Sequence, residues 1–390
     1  MLHLGAIDLE ILGSVVDVSA GEWDGLVGED DPFLEHAFLA TLEASGSVGA
    51  STGWEPRIVL VRSGACLVGA VPLYLKRHSY GEFVFDWSWA SAAERAGIRY
   101  YPKLVAAIPF TPVTGQRLPV ANGAERETVW AELLRGVRLI ADSERASSVH
   151  LLFCTGEEQA AAAAHGYLPR LGLQFHWHNR PNRPFESFED YLATFRAHSR
   201  KNVRRERRMA ASHGLAVRVA TGAELEPPEW QALHRCYLAN VRRHRGIPYL
   251  GPEFFRIAAQ TLAHRVVATL AYRGDQPIAG TLNFEKGTHL YGRYWGCIAN
   301  YEMLHFELAY YRLIERAIAR RHTRFEAGAQ GEHKLARGLL PAFTHSAHWL
   351  RHPGLAEAVA HVVRGEAEEV EARARAYLAH SPFHAAKPGA

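Results

Sequence analysis

Apolar positions recur at three- and four-residue intervals over residues 33–44, 125–143, 157–165, 188–213, 229–245, 252–264, 301–321 and 357–378, and this spacing predicts helices there. The first follows Asp30-Asp31-Pro32, a cap and a first-turn proline, and Asn300 is placed to cap the helix at 301. Alternating or β-branched stretches predict strands at 57–62 and 65–76, joined at Ser63-Gly64, and at 149–154, 171–178 and 215–220. Three more follow at 265–272, 278–285 and 289–295, the last two turning at Lys286-Gly287. Residues 79–118 are rich in aromatics and repeatedly broken by proline, which predicts an ordered loop without regular elements. A last strand from residue 322 empties into the turn Ala327-Gly328-Ala329-Gln330-Gly331 and then a short cationic helix beginning Glu332-His333-Lys334.

The pattern occurs twice. Residues 153–177, FCTGEEQAAAAAHGYLPRLGLQFHW, match residues 325–349, FEAGAQGEHKLARGLLPAFTHSAHW, in Phe, Gly, Gly-x-Leu-Pro and His-Trp at a constant offset of 172. Leu67–Leu73 matches Ile278–Phe284 at an offset of 211. The 39-residue difference predicts that the first copy carries extra chain, for which 79–118 is the candidate insertion. The expected organisation is an N-terminal domain over 1–178, a C-terminal domain over 179–354 that includes the basic helix 188–213, and a C-terminal helix and tail over 355–390.

With 390 residues, 48% of them hydrophobic, the chain is long enough for two buried cores, and its net charge of +3 implies no strongly charged partner unless basic residues cluster. Cys66, Cys154, Cys236 and Cys297 show neither CxxC spacing nor an evident pairing, which argues against a metal knuckle or disulfide framework. No run of about 18 apolar residues and no signal-like leader occurs, so a cytoplasmic protein without an integral membrane segment is expected.

The repeat also acts as an internal control for chemistry. Where the second copy has Gly331-Glu332-His333-Lys334-Leu335-Ala336, the first has Gln159 and five alanines, so helix formation alone does not explain the ionisable groups. Glu332, His333, Lys334 and Arg337 are therefore candidate catalytic residues, and on a helix the i,i+4 spacing of His333 and Arg337 and the i,i+3 spacing of Lys334 and Arg337 would put those three on one face; an ion-pair cluster between Glu332 and its basic neighbours is the alternative. Gln330 belongs to the same glycine-flanked turn, suited to an anionic or carbonyl oxygen. Alternation places Tyr291, Arg293 and Trp295 on one strand face as a candidate substrate surface, and His305, Glu307 and His345 are further binding candidates. In the basic helix, Arg196, Arg200, Arg204 and Arg208 form a stripe with Lys201 and Arg205 beside it, either a solvated face or a phosphate-binding surface. Glu332-His333 has no second His at helical spacing, and neither GxSxG nor GxxxxGK[ST] occurs, so no metal and no covalent serine chemistry are expected. What remains suits acyl transfer without a covalent enzyme intermediate: a base for an amine, N–H groups for an oxyanion, and cations for a charged donor.

The strings YYPKLVAAIPFTPVTGQRL, YGRYWGC, LHFELAYY and FEAGAQGEHKLARGLLP with SAHW resemble the bacterial Fem-like predicted N-acyltransferases, relatives of the peptidoglycan interpeptide-bridge ligases, over about residues 31–353. The resemblance implies an α/β fold of two tandem GNAT-like domains, mixed sheets flanked by helices, and an enzyme that forms an amide by moving an aminoacyl group from aminoacyl-tRNA to the amine of a small molecule or peptidoglycan-type precursor. Acyl-CoA is the alternative donor, but Trp295-Gly296-Cys297-Ile298-Ala299-Asn300-Tyr301 has one glycine and no arginine where a pyrophosphate-binding turn belongs. On the tRNA reading no other cofactor is needed, and Arg200, Lys201, Arg204, Arg205 and Arg208 would meet the phosphate backbone. A non-catalytic binding protein on the same fold is the remaining alternative.

Overall fold

The computed structural model describes residues 7–329 and 331–384. The chain forms two compact units, residues 1–173 with 343–372 and residues 174–342 with 373–390.

In unit 1, β1 (Ile7–Leu12), β3 (Ile58–Ser63) and β4 (Cys66–Val71) form an antiparallel sheet. A second sheet runs β2 (Trp54–Pro56), β5 (Leu73–Lys76), β6 (Lys103–Ala106), β7 (Ser148–Cys154). The expected single strand 65–76 is split at Pro72, whose missing N–H ends one ladder, so that β4 and β5 join different sheets. The helices are α1 (Ala20–Asp24), α2 (His36–Ala44), α3 (Trp87–Arg95), α4 (Arg126–Ser143) and α5 (Gly156–Ala164). α4 buries Val129, Leu133, Val137 and Ile140 along one stripe against the β3–β4 hairpin and the second sheet. The proline-rich segment 79–118 is not a plain loop. It holds α3 and β6, and β6 pairs in parallel with β7 just as β12 pairs with β13 below. The prolines lie outside both elements, so they bound regular structure instead of forbidding it.

β8 (Leu168–His178) follows, and its end leads unit 2: α6 (Phe188–Ala193), α7 (Ala197–Ala211), β9 (Ala216–Thr221), α8 (Pro227–Arg243), α9 (Pro252–Thr261), β10 (Val266–Arg273), β11 (Gln276–Lys286), β12 (His289–Cys297), α10 (Leu304–Phe306), a π-helical turn Glu307–Tyr311, α11 (Arg312–Ala319) and β13 (Arg324–Glu326). Its strand order is β8-β13-β12-β11-β10-β9. After β13 come a 3-10 turn, Glu332–Arg337, then β14 (Leu340–Leu350) and α12 (Pro353–Ala379). The strand ending each copy of the repeat pairs within the other unit: His176 opposes Glu326 in unit 2, and His348 opposes His150 in unit 1. The units therefore follow strand pairing and not the repeat boundary, while each keeps the same α/β plan of a mixed sheet with flanking helices, the tandem GNAT-like fold.

Two expected helices are interrupted. The segment 188–213 breaks between α6 and α7, where buried Phe195 forms a β-bridge to Phe383 and the Arg196 N–H donates to Pro382 O. The segment 301–321 begins only at Leu304, with left-handed Met303 (φ 62°) and not Asn300 at its cap, and widens into the π-turn. α7 buries only Val203 and Ala210, and its inward polar residues are held by charge: Arg207 bridges Glu307 (3.0 Å) and Glu315 (2.6 Å). No described helix is long and apolar enough to cross a membrane.

Candidate active site

β13 pairs with β12 over its full length, Arg324–Glu326 against His289–Tyr291, and β12 runs on to Cys297 past the end of β13. A Cβ on Gly292 would press against the Phe325 ring at 3.3 Å, a tight contact that the ring would have to give way to. The chain leaves β13 through left-handed Gly328 (φ 82°) and enters the 3-10 turn at Gly331 (φ 116°). In the first copy the matching span is α5, a full α-helix capped by Thr155, so the glycines convert a helix start into a loop and one tight turn.

Three residues per turn put Lys334 and Arg337 on the same inward side, both buried, and leave Glu332 and His333 exposed. The predicted common face of His333, Lys334 and Arg337 therefore does not form, because the segment is 3-10 and not α. Lys334 is 1% exposed; its Nζ donates to Gly328 O at 2.6 Å, and burial lowers its pKa from 10.5 to about 7. Arg337 donates to His333 O (2.6 Å) and to Glu206 Oε1 (2.8 Å), and its guanidinium lies 3.3 Å from the Phe306 ring centre. The Tyr191 hydroxyl donates to Arg337 O (3.0 Å), and left-handed Gly338 (φ 82°) ends the turn.

His333 sits among rings. Its Nε2 is 3.0 Å from the Tyr310 hydroxyl, and its ring centre lies 5.5 Å from Phe306 and 6.2 Å from His305. Partial burial, then the charges of Arg337 and Lys334, hold its pKa below the ordinary value, so the imidazole is neutral near pH 7 and available as a proton acceptor. His305, stacked on Trp295 at 5.0 Å, is driven down to about 3, first by burial and then by His333, Arg337 and Lys334. Glu332 accepts a hydrogen bond from the Tyr377 hydroxyl of α12. Trp295, His305, His333, Lys334 and Arg337 are thus assembled in one place past the end of β13, beside the continuing part of β12.

Other candidates lie elsewhere. A β-bulge makes Arg293 the extra residue of β12, since Asn283 pairs with Gly292 and Leu282 with Tyr294. Face parity flips there, so Tyr291, 1% exposed, shares its face with Tyr294, and Trp295 takes the opposite one; the expected Tyr291–Arg293–Trp295 face does not exist. Arg293 lies 5.1 Å from the Tyr294 ring. Buried Glu307 is committed to Arg207 and Arg312 (2.8 Å), a structural role. His345 belongs to unit 1, where it contacts Gln159 Oε1 at 3.1 Å. Gln330 falls outside the described residues.

On α7, Arg204 pairs with Glu189 (2.5 Å) and Arg200 reaches back to Phe195 O (3.5 Å). Lys201, Arg205 and Arg208 are exposed at i, i+4, i+7 spacing, a cationic stripe turned one residue from the expected one. Phe306, Tyr310 and Glu206 join the site without a local signal in the sequence: Phe306 ends α10, Tyr310 lies in the π-turn, and Glu206 reads as a lone acid in a basic run.

A profile of the FemAB-like family, described as peptidoglycan biosynthesis/recognition, matches residues 14–385. Among solved structures, FemX superposes with a TM-score of 0.53 at 11% identity, covering 88% of this chain and 98% of FemX. The L-PGS of Bacillus licheniformis gives 0.51 at 12% identity, over 86% of this chain and 98% of that one. The C-terminal domain of a putative lysylphosphatidylglycerol synthetase from Agrobacterium fabrum gives 0.52 at 9% identity, over 89% and 95%. No curated protein matches the chain in sequence.

Proposed function

The chain belongs to the FemAB-like family, and from that premise we propose that it is an N-acyltransferase moving an aminoacyl group from aminoacyl-tRNA to the amine of a small molecule or peptidoglycan-type precursor. The observation that carries the reading is a neutral, partly exposed imidazole and a buried amine with a pKa near 7 on one short turn, His333 and Lys334, just past the end of β13.

The amine nitrogen attacks the ester carbonyl of the donor. His333, oriented by Tyr310, takes the proton the nitrogen loses; the bond from the carbonyl carbon to the ribose oxygen breaks, and that proton leaves with the ribose hydroxyl. Of the two candidate bases His333 is preferred, because Glu332 is exposed and already accepts from Tyr377. Lys334 acts on the charge that develops on the carbonyl oxygen or on the donor's terminal phosphate. Arg337, held by Glu206 and His333 O, fixes the turn. Trp295 and His305 line the acyl side. Lys201, Arg205 and Arg208 supply the phosphate contacts, with Arg200 and Arg204 at their edge. The segment 298–303 forms no regular helix start for a pyrophosphate, which favours tRNA over coenzyme A.

The donor is tested by incubating the protein with charged tRNA or acyl-CoA and a panel of amines, and following amide formation by mass spectrometry. Consumption of charged tRNA with a new aminoacyl amide supports the reading. Consumption of acyl-CoA instead, or of neither, replaces it with the acetyltransferase or the binding-protein alternative.

A further inference from the structure

Glu206 stands on α7 with cations on every side, yet its carboxylate turns inward. It accepts from Arg337 Nη2 at 2.8 Å through Oε1 and from the Tyr311 hydroxyl through Oε2, so one carboxylate joins the 332–337 turn to the end of the π-turn. Arg207, next in sequence, grips the start of the same π-turn through Glu307. Arg337, once held, stacks on Phe306 and donates to His333 O, and Tyr310 from the same π-turn meets His333 Nε2. The two faces of α7 are thus differently employed: Lys201, Arg205 and Arg208 point outward, and Glu206 and Arg207 hold both walls of the aromatic site.

We propose that Glu206 is a positioning residue that sets the His333–Lys334 turn against the π-turn through Arg337, and that α7 thereby ties phosphate contact on its outer face to alignment of the acyl-transfer site. The inference rests on the acyltransferase reading for its kinetic part and on geometry alone for the rest. A buried guanidinium that bridges a carboxylate on α7 and the His333 carbonyl on the 332–337 turn orients the two elements more than a lone exposed pair does. Glu206→Gln keeps the shape but cannot accept from both Arg337 and Tyr311 as an anion, and so loosens Arg337 from its place over Phe306.

The experiment uses the full chain and two independent readings. The titration of His333 is followed by NMR, with assignment by a His333→Gln variant. The charged and titratable groups around this ring are Lys334 and Arg337 on its own turn, His305 on α10 and Tyr310 on the π-turn. Since Arg337 depresses the His333 pKa, displacing it in Glu206→Gln raises the midpoint, whereas loss of the carboxylate charge with Arg337 still in place lowers it. In turnover with charged tRNA, Glu206→Gln lowers kcat by roughly 10- to 100-fold and leaves KM for the tRNA within about twofold, the signature of lost alignment, whereas Arg205→Ala raises KM. Tyr311→Phe, which removes the other partner of Glu206 and spares the Arg337 contact, leaves the His333 midpoint in place. An unshifted or lowered midpoint in Glu206→Gln, or an equal rise in Tyr311→Phe, overturns the positioning role whether or not the protein turns over. A raised midpoint in a protein that transfers nothing from tRNA keeps the positioning role and rejects the tRNA reading instead. Should Glu206→Gln fail to fold, Arg337→Lys, which keeps the charge but cannot span both His333 O and Glu206, gives the same test: a His333 midpoint and kcat like the wild type overturn the role.

Discussion

Replacing Lys334 with methionine keeps the length of the stem and removes the ammonium. In the wild type that ammonium is buried with a backbone carbonyl as its hydrogen-bond partner, and its pKa falls from 10.5 to about 7. At ~1.4 kcal/mol per unit, the fold disfavours the charged form by roughly 5 kcal/mol. The sign follows from proton linkage: between about pH 7 and 10.5 the unfolded chain binds the proton and the folded chain does not, so stability rises with pH across that window and the full cost is present below it. Allowing ~1 kcal/mol for the lost hydrogen bond to Gly328, Lys334→Met is expected to be more stable than the wild type by about 2–4 kcal/mol near pH 6. That gap should shrink by roughly 3 kcal/mol near pH 9.5, where most of the cost has already gone. Lys76, fully buried in unit 1 with a pKa also near 7, contributes its own slope to both proteins and cancels in the comparison. Urea denaturation at the two pH values measures the gap. A variant less stable than the wild type at pH 6, or a gap independent of pH, would refute the claim that the amine is held at a cost, which is the mark of a group kept for function rather than stability.

Three further outcomes are expected. Gly338→Ala forces a side chain onto a left-handed residue and drives its Cβ into Tyr191 and Phe195, so it should lose about 2–4 kcal/mol in thermal or chemical denaturation. Alanine at Lys201, Arg205 and Arg208 together should leave the melting temperature unchanged but weaken tRNA binding and reduce the slope of log K against log salt by roughly 2–3, read by filter binding or anisotropy. Because burial and the neighbouring cations depress the His333 pKa, the acidic limb of kcat/KM should lie below pH 6.5, and a limb above that value would exclude His333 as the base.

Local patterning made much of this legible. The helix and strand periods, the 172-residue repeat and the contrast between five alanines and Glu-His-Lys pointed to a duplicated α/β fold with its chemistry at 332–337. What stayed hidden depends on contacts distant in sequence. The exchange of β8 and β14 leaves no local trace, since each strand reads the same whichever neighbour it pairs with. One bulged residue at Arg293 reversed the face of Trp295, and strict alternation has no way to register it. The π-turn at 307–311 is written in ordinary helix-forming residues, yet it carries Tyr310 to His333 while Glu307 is gripped from α7. Proline density at 79–118 hid β6, a central strand of unit 1 whose own four residues contain no proline.

The most direct test of the whole account is a single-turnover measurement: enzyme in excess over charged tRNA, an amine acceptor present, and the aminoacyl amide quantified by rapid quench. Amide formation by the wild type is expected, with a loss of at least about 100-fold in the rate for both His333→Ala and Lys334→Ala while tRNA is still bound. Wild-type rates in either variant would contradict it.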